Sequence, residues 1–263
     1  MAGRKARIVR RDSPSNDMAE RKIIGGRIVR FRIVDSTNEK ARELLDESPE
    51  EGTVIVADRQ AAGRGRHGRA WSSPPGGLYL SIILTPPEKN VHLLSLLSGL
   101  PTRRAMKPFG VDAALKWPND LNVGGKKIGG ILCEGIHRRD EFRAIVGIGV
   151  NTAVEIRALS ADVRTEATTL KHEAGREIDN DEFLEGLLNE YDAFYAGYEA
   201  GNIGPLLAEY RATCSTLGRR VVIETAKGRV RGTARDVNDL GALVVEERGR
   251  RHEVFEGTVQ RIE

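Results

Sequence analysis

Apolar and polar positions along the chain change period twice. Arg27–Val34 alternates as a half-buried strand does, and Ser36 stands three residues before Glu39 at the head of the amphipathic stretch Thr37–Glu47. That spacing predicts a capping box opening a helix. Thr53–Ala57 and Tyr79–Leu84 read as short apolar strands, and a helical pattern through Leu93, Leu94 and Leu97 runs into Pro101, which should kink or end it. Ala114–Trp117, Ile128–Ile136 and Glu141–Val150 read as further strands, with a turn over Asn122–Lys126. Phe183, Leu184, Leu187, Leu188, Tyr191, Phe194, Tyr195 and Tyr198 then recur at helical spacing and mark one buried stripe; Leu206, Leu207 and Tyr210 mark a second helix. From about Leu217 the period falls to two. Arg220–Thr225, Val230–Asp236, Ala242–Glu247 and Glu253–Val259, separated by Gly- and Asn-rich turns, predict a small β-barrel. A hairpin-rich sheet carrying helices points to an α+β or α/β layer rather than a regular βαβ series.

With 263 residues the chain has room for one large or two ordinary domains, and 40% hydrophobic with 30% charged residues is a globular composition. Residues 1–22 are basic and poor in bulky apolar groups, which reads as a disordered or loosely attached arm. They lack the apolar core of a secretion signal, and no apolar run reaches the length of a membrane span. Cys133 and Cys214 stand far apart without metal-ligand spacing, which fits free thiols and a reducing cytoplasm. The formal charge of +3 is too small to speak for nucleic acid.

The segment Gly63-Arg64-Gly65-Arg66-His67-Gly68-Arg69, closed by Trp71, is the hardest to explain as ordinary structure. Its glycines weaken helix or strand, so it should be a loop. Its guanidiniums suit the bidentate binding of carboxylate or phosphate oxygens. Gly63, Gly65 and Gly68 spell the dinucleotide-binding pattern, but that pattern needs a helix to begin at the glycines, and Ser72-Ser73-Pro74-Pro75-Gly76-Gly77 follows instead. Gly124-Gly125-Lys126 lacks the remainder of a phosphate-binding P-loop. A plain basic surface loop, or an RNA-binding arginine–glycine segment, remains the bland alternative.

A second constellation is Lys116-Trp117-Pro118-Asn119-Asp120 followed by Lys126-Lys127-Ile128-Gly129-Gly130-Ile131-Leu132. Pro118 should stop the strand and set Asn119 and Asp120 at its end. Lys127 begins the returning strand and a hairpin brings it back beside them, while Gly129-Gly130 inside an apolar run calls for close approach of a backbone or ligand. Taken alone, this pattern fits an ordinary polar hairpin equally well.

Together these segments resemble the biotin protein ligase family. The matching pieces are Asp35-Ser36-Thr37-Asn38, Gln60 through Arg69 with Trp71, Lys116-Trp117-Pro118-Asn119-Asp120, Lys127 through Leu132 and Gly147-Ile148-Gly149-Val150-Asn151, in the family's order and approximate spacing. The resemblance implies an α+β catalytic domain of the class II aminoacyl-tRNA synthetase/biotin ligase type with a mixed sheet, over 23–214, and a small SH3-like domain over 215–263. It also implies a two-step reaction: MgATP activates biotin to biotinyl-5′-AMP, and the biotinyl group passes to a lysine of a biotin carboxyl carrier domain of a carboxylase or decarboxylase.

The resemblance distributes roles as follows. Ser36, Thr37, Asn38, Gln60, Arg64, Gly65, Arg66 and Lys127 are expected at biotin. Arg66, Arg69, Trp71, Lys116, Asn119, Lys127 and Asn151 are expected at ATP or the adenylate. Arg64, Arg66 and Lys127 would offset the repulsion between carboxylate and polyphosphate. Asp120 is expected where the acceptor lysine enters, to orient its amine and help remove its proton; the Mg²⁺ ligands are not assigned. The glycine–arginine loop is expected to act as a flap over biotin and ATP, shielding the reactive anhydride from water.

His67 stands where the family commonly has another arginine. The segment before Arg27 is too short and too polar for the helix-turn-helix domain of bifunctional ligase–repressors, so DNA binding is not expected. Biotin and a carrier protein are the expected partners, with no membrane; a homodimer through a sheet edge is compatible with the pattern. Two rival readings are a lipoate-type ligase, separated by competition between the two acids, and a non-catalytic nucleic-acid-binding protein, whose binding should fall steeply with salt.

Overall fold

The computed structural model describes residues 7–10, 23–138 and 141–262. Its first sheet comprises β1 (Arg7–Arg10), β2 (Arg27–Val34), β3 (Val54–Gln60), β4 (Leu78–Leu84), β5 (Ala114–Lys116), β6 (Asp120–Val123), β7 (Lys126–Arg138) and β8 (Glu141–Val150), in the spatial order β1-β2-β3-β4-β8-β7-β6-β5. The β2–β3 pair is parallel, joined through helix α1 (Thr37–Leu44), and the other pairs are antiparallel. The sheet is therefore mixed and the class α+β. Within the basic segment 1–22, read as a loose arm, Arg7–Arg10 pairs with β2, Arg7 opposite Arg30 and Arg10 opposite Arg27. Residues 1–6 and 11–22 lie outside the described residues.

Both faces of the sheet are covered, which is why β4 is buried along its whole length. Ala41 and Leu44 of α1 pack with Phe31, Ile55, Ile83 and Ile145 on one face. On the other, Leu80 and Ile82 meet α2 (Val91–Leu97), α3 (Gly99–Met106) and the aromatic stripe of the long helix α6 (Asn180–Glu199). The short helices α4 (Ala161–Arg164) and α5 (Leu170–Ala174) precede α6, and α7 (Ile203–Thr213) follows it. All the predicted stripe residues of α6 are buried. Each such side chain contributes about 1.5–3 kcal/mol against leaving it in water. Pro101 does not end the helical segment; the break falls earlier, at Ser98, and Pro101 sits in the first turn of α3. The physical reason is that a proline removes the bond to the carbonyl four residues back, here Leu97, the last residue of α2.

The second sheet is formed by β9 (Arg220–Thr225), β10 (Gly228–Val237), β11 (Leu243–Glu247), β12 (Arg250–Val254) and β13 (Thr258–Ile262). Its order is β12-β11-β10-β9-β13, and it is not closed into the expected barrel. The segment Glu253–Val259, read as one strand, breaks at Phe255–Gly257: β12 ends beside β11, and β13 crosses to the opposite edge beside β9. Val221, Ile223, Ala234, Leu243 and Val245 join the same hydrophobic cluster as Leu115 and Trp117. The small sheet thus borrows a core from the large one, as a unit too small to bury enough surface alone requires. Trp117 fastens the two: its backbone N–H donates to Thr216 Oγ1 at 3.0 Å and its indole N–H to the Gly241 carbonyl at 3.2 Å.

Candidate active site

One cavity of about 400 Å³ opens where the start of α1, the end of β3, the arginine loop, the β5–β6 turn, β7, β8 and the start of β13 converge. Every residue expected at biotin, at the nucleotide or in the chemistry lines it: Ser36, Thr37, Asn38, Gln60, Arg64, Gly65, Arg66, Arg69, Trp71, Lys116, Asn119, Asp120, Lys127 and Asn151.

The first wall is the start of α1. Ser36 precedes the helix, but its hydroxyl makes no cap hydrogen bond, so the expected capping box does not form. Another of the helix's open donors is met from a neighbouring strand: the Thr37 backbone N–H donates to Gln60 Oε1 at 2.8 Å. Glu39, the other half of the expected box, instead pairs with Arg64 across the loop. Gln60 Nε2 donates to Ser73 Oγ at 2.8 Å, which fixes its amide orientation. Beneath lies buried Ser81, whose hydroxyl is 2.8 Å from Thr37 Oγ1 and 2.6 Å from Asn38 Oδ1.

The glycine–arginine loop is a loop, as its composition requires, and it closes on itself. Gly65 N–H donates to the Arg69 carbonyl at 2.7 Å and Trp71 N–H to the Gly63 carbonyl at 2.8 Å. His67 occupies the left-handed region at φ 55°, followed by Gly68 at φ 71°. Arg69 donates to Thr258 Oγ1 and Arg66 lies 3.9 Å from Glu256, so the loop leans on the second sheet. Burial lowers the Arg66 pKa from its ordinary value, with Glu256 and Asp120 acting in the opposite direction.

Gly130 and Gly149 face each other on β7 and β8. A Cβ on Gly149 would stand 2.6 Å from the Trp71 indole, and one on Gly130 would stand 3.2 Å from it. The glycines therefore make the shelf on which Trp71 lies. Lys127 Nζ sits 5.1 Å from the centre of an indole ring of Trp71, within cation–π range.

The third wall is the β5–β6–β7 hairpin. The turn places Asn119 at a strand end, where its Nδ2 donates to the Ile131 carbonyl at 2.7 Å. Asp120 opens β6 and Lys127 follows the first residue of β7; Lys127 Nζ and Asp120 Oδ1 are 2.5 Å apart. The Lys127 backbone is held by the 166–168 segment, through Lys127 N–H to the Glu166 carbonyl at 2.6 Å and Thr168 N–H to the Lys127 carbonyl at 2.9 Å. Asn151 is 4% exposed, donates to the Thr168 carbonyl at 3.2 Å, and leaves Oδ1 without a partner. A buried acceptor left open toward a cavity is suited to a ligand donor.

The sequence reading missed Ser73, Ser81, Glu134, Glu166 and the Gly257–Gln260 segment. Ser73 follows the arginine loop closely enough to have been considered. The others come from distant segments whose proximity only strand pairing creates. Among the described residues there is no group of three His, Cys, Asp or Glu side chains able to cage a metal. Asp120 and Glu166 are the acidic side chains at the cavity. Such a sparse donor set fits a magnesium ion that arrives on nucleotide phosphates rather than a resident metal.

Residues 30–151 match the biotin/lipoate A/B protein ligase family, and residues 216–261 match the biotin protein ligase C-terminal domain. The bifunctional ligase/repressor BirA of Bacillus subtilis is 31% identical over 229 residues, covering 85% of this chain and 70% of that protein. The biotin–[acetyl-CoA-carboxylase] ligase of Mycobacterium tuberculosis is 33% identical over 218 residues, covering 80% and 79%. The structure of the Aquifex aeolicus biotin protein ligase in complex with biotin and ATP superposes with a TM-score of 0.77 at 31% identity, covering 88% of this chain and 96% of that one.

Proposed function

The chain belongs to the biotin/lipoate A/B protein ligase family, and from that membership and its cationic cavity we infer that it is a biotin protein ligase. It activates biotin with MgATP to biotinyl-5′-AMP and transfers the biotinyl group to a lysine of a biotin carrier protein. The observation that carries this reading is the gathering of Arg64, Arg66 and Lys127 around one cavity that also holds the polar Ser36–Asn38 and Gln60 corner. Each of these cations is paired with a carboxylate of the chain itself: Arg64 with Glu39, Arg66 with Glu256, Lys127 with Asp120. An incoming carboxylate and polyphosphate replace those partners, so charge is rearranged rather than created in the site.

In the first step a biotin carboxylate oxygen attacks the α-phosphorus and pyrophosphate leaves. Arg64, Arg66 and Lys127 offset the repulsion between the two anions, and magnesium, carried in with ATP, supplies further positive charge. Ser36, Thr37, Asn38 and Gln60, with the Gly65 backbone, take the biotin end; Arg69, Trp71, Lys116, Asn119 and Asn151 take the nucleotide. The open Oδ1 of Asn151 supports that assignment. The arginine loop, tied to the second sheet through Arg69 and Arg66, covers the adenylate against water.

In the second step a carrier lysine, charged at neutral pH with a pKa of about 10.4, must lose a proton before it attacks. Its nitrogen bonds to the acyl carbon, the acyl–phosphate C–O bond breaks, and AMP leaves with the electron pair. Asp120 accepts from Lys127 with one oxygen and keeps a second to orient the amine and draw off its proton.

We assign 23–214 as the catalytic domain and 215–263 as the C-terminal domain, supported by the division of β2–β8 and β9–β13 between two sheets, with β1 of the basic segment adding an outer strand to the first. ATP use and two free thiols support a cytoplasmic location. Among the described residues β1 is an outer strand of the large sheet, which is compatible with a homodimer through strand pairing. No helix among the described residues is long and apolar enough to cross a membrane. The test is incubation with a purified carrier domain, biotin and MgATP. A mass gain of one biotinyl group, lost when the target lysine is changed to arginine or when lipoate replaces biotin, supports the reading; no gain refutes it.

A further inference from the structure

Glu134 of β7 has no role in the reaction as described, yet it takes part in the polar network behind the biotin corner. Its Oε2 accepts from Asn38 Nδ2 at 2.6 Å, and its Oε1 accepts from Arg42 Nη2 at 3.0 Å. The same Nδ2 also donates to the Leu132 carbonyl at 3.4 Å. A carboxylate and a carbonyl have only lone pairs to offer, so Asn38 must turn its NH₂ toward β7. The opposite edge of the same carboxamide obeys the complementary rule, because Oδ1 receives the hydroxyl of Ser81, a fully buried side chain, at 2.6 Å. Oδ1 lies over the Gly147 backbone, where a Cβ would stand 2.2 Å away, and Gly147 lines the cavity. Flipping the amide would set its oxygen against the Glu134 carboxylate and its NH₂ over Gly147. The buried amide oxygen, on a residue 4% exposed, would then face the Glu134 carboxylate and the Leu132 carbonyl with no donor to satisfy it.

We propose that Glu134, anchored by Arg42, is a positioning residue for the acid substrate: it locks the Asn38 carboxamide with Oδ1 as the acceptor at the cavity, and thereby makes the site select a ring that offers an N–H donor. The proposal rests on the biotin ligase reading, in which Asn38 stands by the ureido ring. An oxygen has two lone pairs, so Oδ1 can serve Ser81 and a ligand N–H together. Asn38 thus acts as a donor–acceptor selector because Glu134 and Leu132 of β7, with Ser81 of β4, decide which way it faces.

The test compares the protein with its Glu134→Gln variant, whose amide presents either a donor or an acceptor to Asn38 and so removes the strongest of the orienting contacts, leaving the longer Leu132 bond and Ser81. The expected result is a rise of about tenfold in KM for biotin, the scale of one misaligned buried hydrogen bond. KM for ATP and kcat at saturating biotin stay within about twofold, and the preference for biotin over an analogue methylated at both ureido nitrogens shrinks by about the same tenfold factor. Arg42→Ala moves the same two quantities in the same direction, and Arg42→Lys restores them. That pair keeps the test alive if Glu134→Gln fails to fold. An unchanged biotin KM, an unchanged preference over the methylated analogue, or a parallel rise in the ATP and biotin KM values would overturn the proposal. Failure of the underlying reading looks different, since the unaltered protein would then show no biotin-dependent exchange of pyrophosphate into ATP.

Discussion

Trp71 rests on Gly149: a side chain there would place its first carbon 2.6 Å from the indole. The glycine of β8 and the tryptophan that closes the arginine loop are therefore one structural device, although 77 intervening residues separate them in the chain. Gly149→Ala should leave the fold in place and push Trp71 off its shelf, away from Lys127. Overpacking of this kind costs about 1–3 kcal/mol. A thermal melt should fall by several degrees, and fluorescence of Trp71, isolated in a Trp117→Phe background, should shift to the red. An unmoved emission maximum would show that Trp71 does not depend on the shelf.

Asp120→Asn separates the two chemical steps. The amide oxygen still accepts from Lys127, so adenylate formation should stay within a few-fold of the unaltered protein. Transfer to a carrier lysine should slow by about a hundredfold or more, the usual contribution of a positioned general base. Single-turnover transfer from preformed biotinyl-AMP reads the second step alone. Equal loss in both steps would remove Asp120 from the transfer role.

Glu256 competes with substrate for Arg66. The carboxylate is 74% exposed and 3.9 Å from the guanidinium, so the pairing is weak. Glu256→Gln should tighten ATP binding by about twofold to threefold at low salt, with the gain vanishing as salt screens the pair. Titration calorimetry at two ionic strengths measures it; a loss of affinity would mean that Glu256 helps hold the nucleotide.

Glu209 ties α7 to α3 through its hydrogen bond with Arg104, which lowers the Glu209 pKa from 4.5. A lowered carboxyl pKa adds stability that is present above the unfolded value and is lost as pH falls through the folded one. The melting temperature of Glu209→Gln should therefore lie below that of the unaltered protein at pH about 7, and the gap should close only as pH falls below 4.5 and through the lowered folded value. A gap that persists at low pH would assign the effect to packing.

The sequence disclosed the elements whose period is strong and local. The α6 stripe, the alternation in β2 and the hairpin that returns Lys127 to Asp120 all follow from spacing alone. What it hid depends on pairing between distant segments. Ser36 and Glu39 have the right spacing for a capping box, yet Gln60 reaches the helix end first and Arg64 draws Glu39 away. The predicted barrel is not closed, because β12 and β13, the two outer strands joined by the Phe255–Gly257 break, do not pair. Glu134 and Ser81 were invisible for the same reason: neither has a neighbour in sequence that reveals Asn38 between them.

The most direct measurement is exchange of labelled pyrophosphate into ATP by the purified protein, with and without biotin. Reversible adenylate formation at the Arg64–Arg66–Lys127 cluster predicts exchange that requires biotin and magnesium, is not supported by lipoate, and falls at least a hundredfold in Lys127→Ala, on the scale of losing an electrostatic stabiliser of the transition state. Absence of exchange in the unaltered protein, or exchange that proceeds equally without biotin, would contradict it.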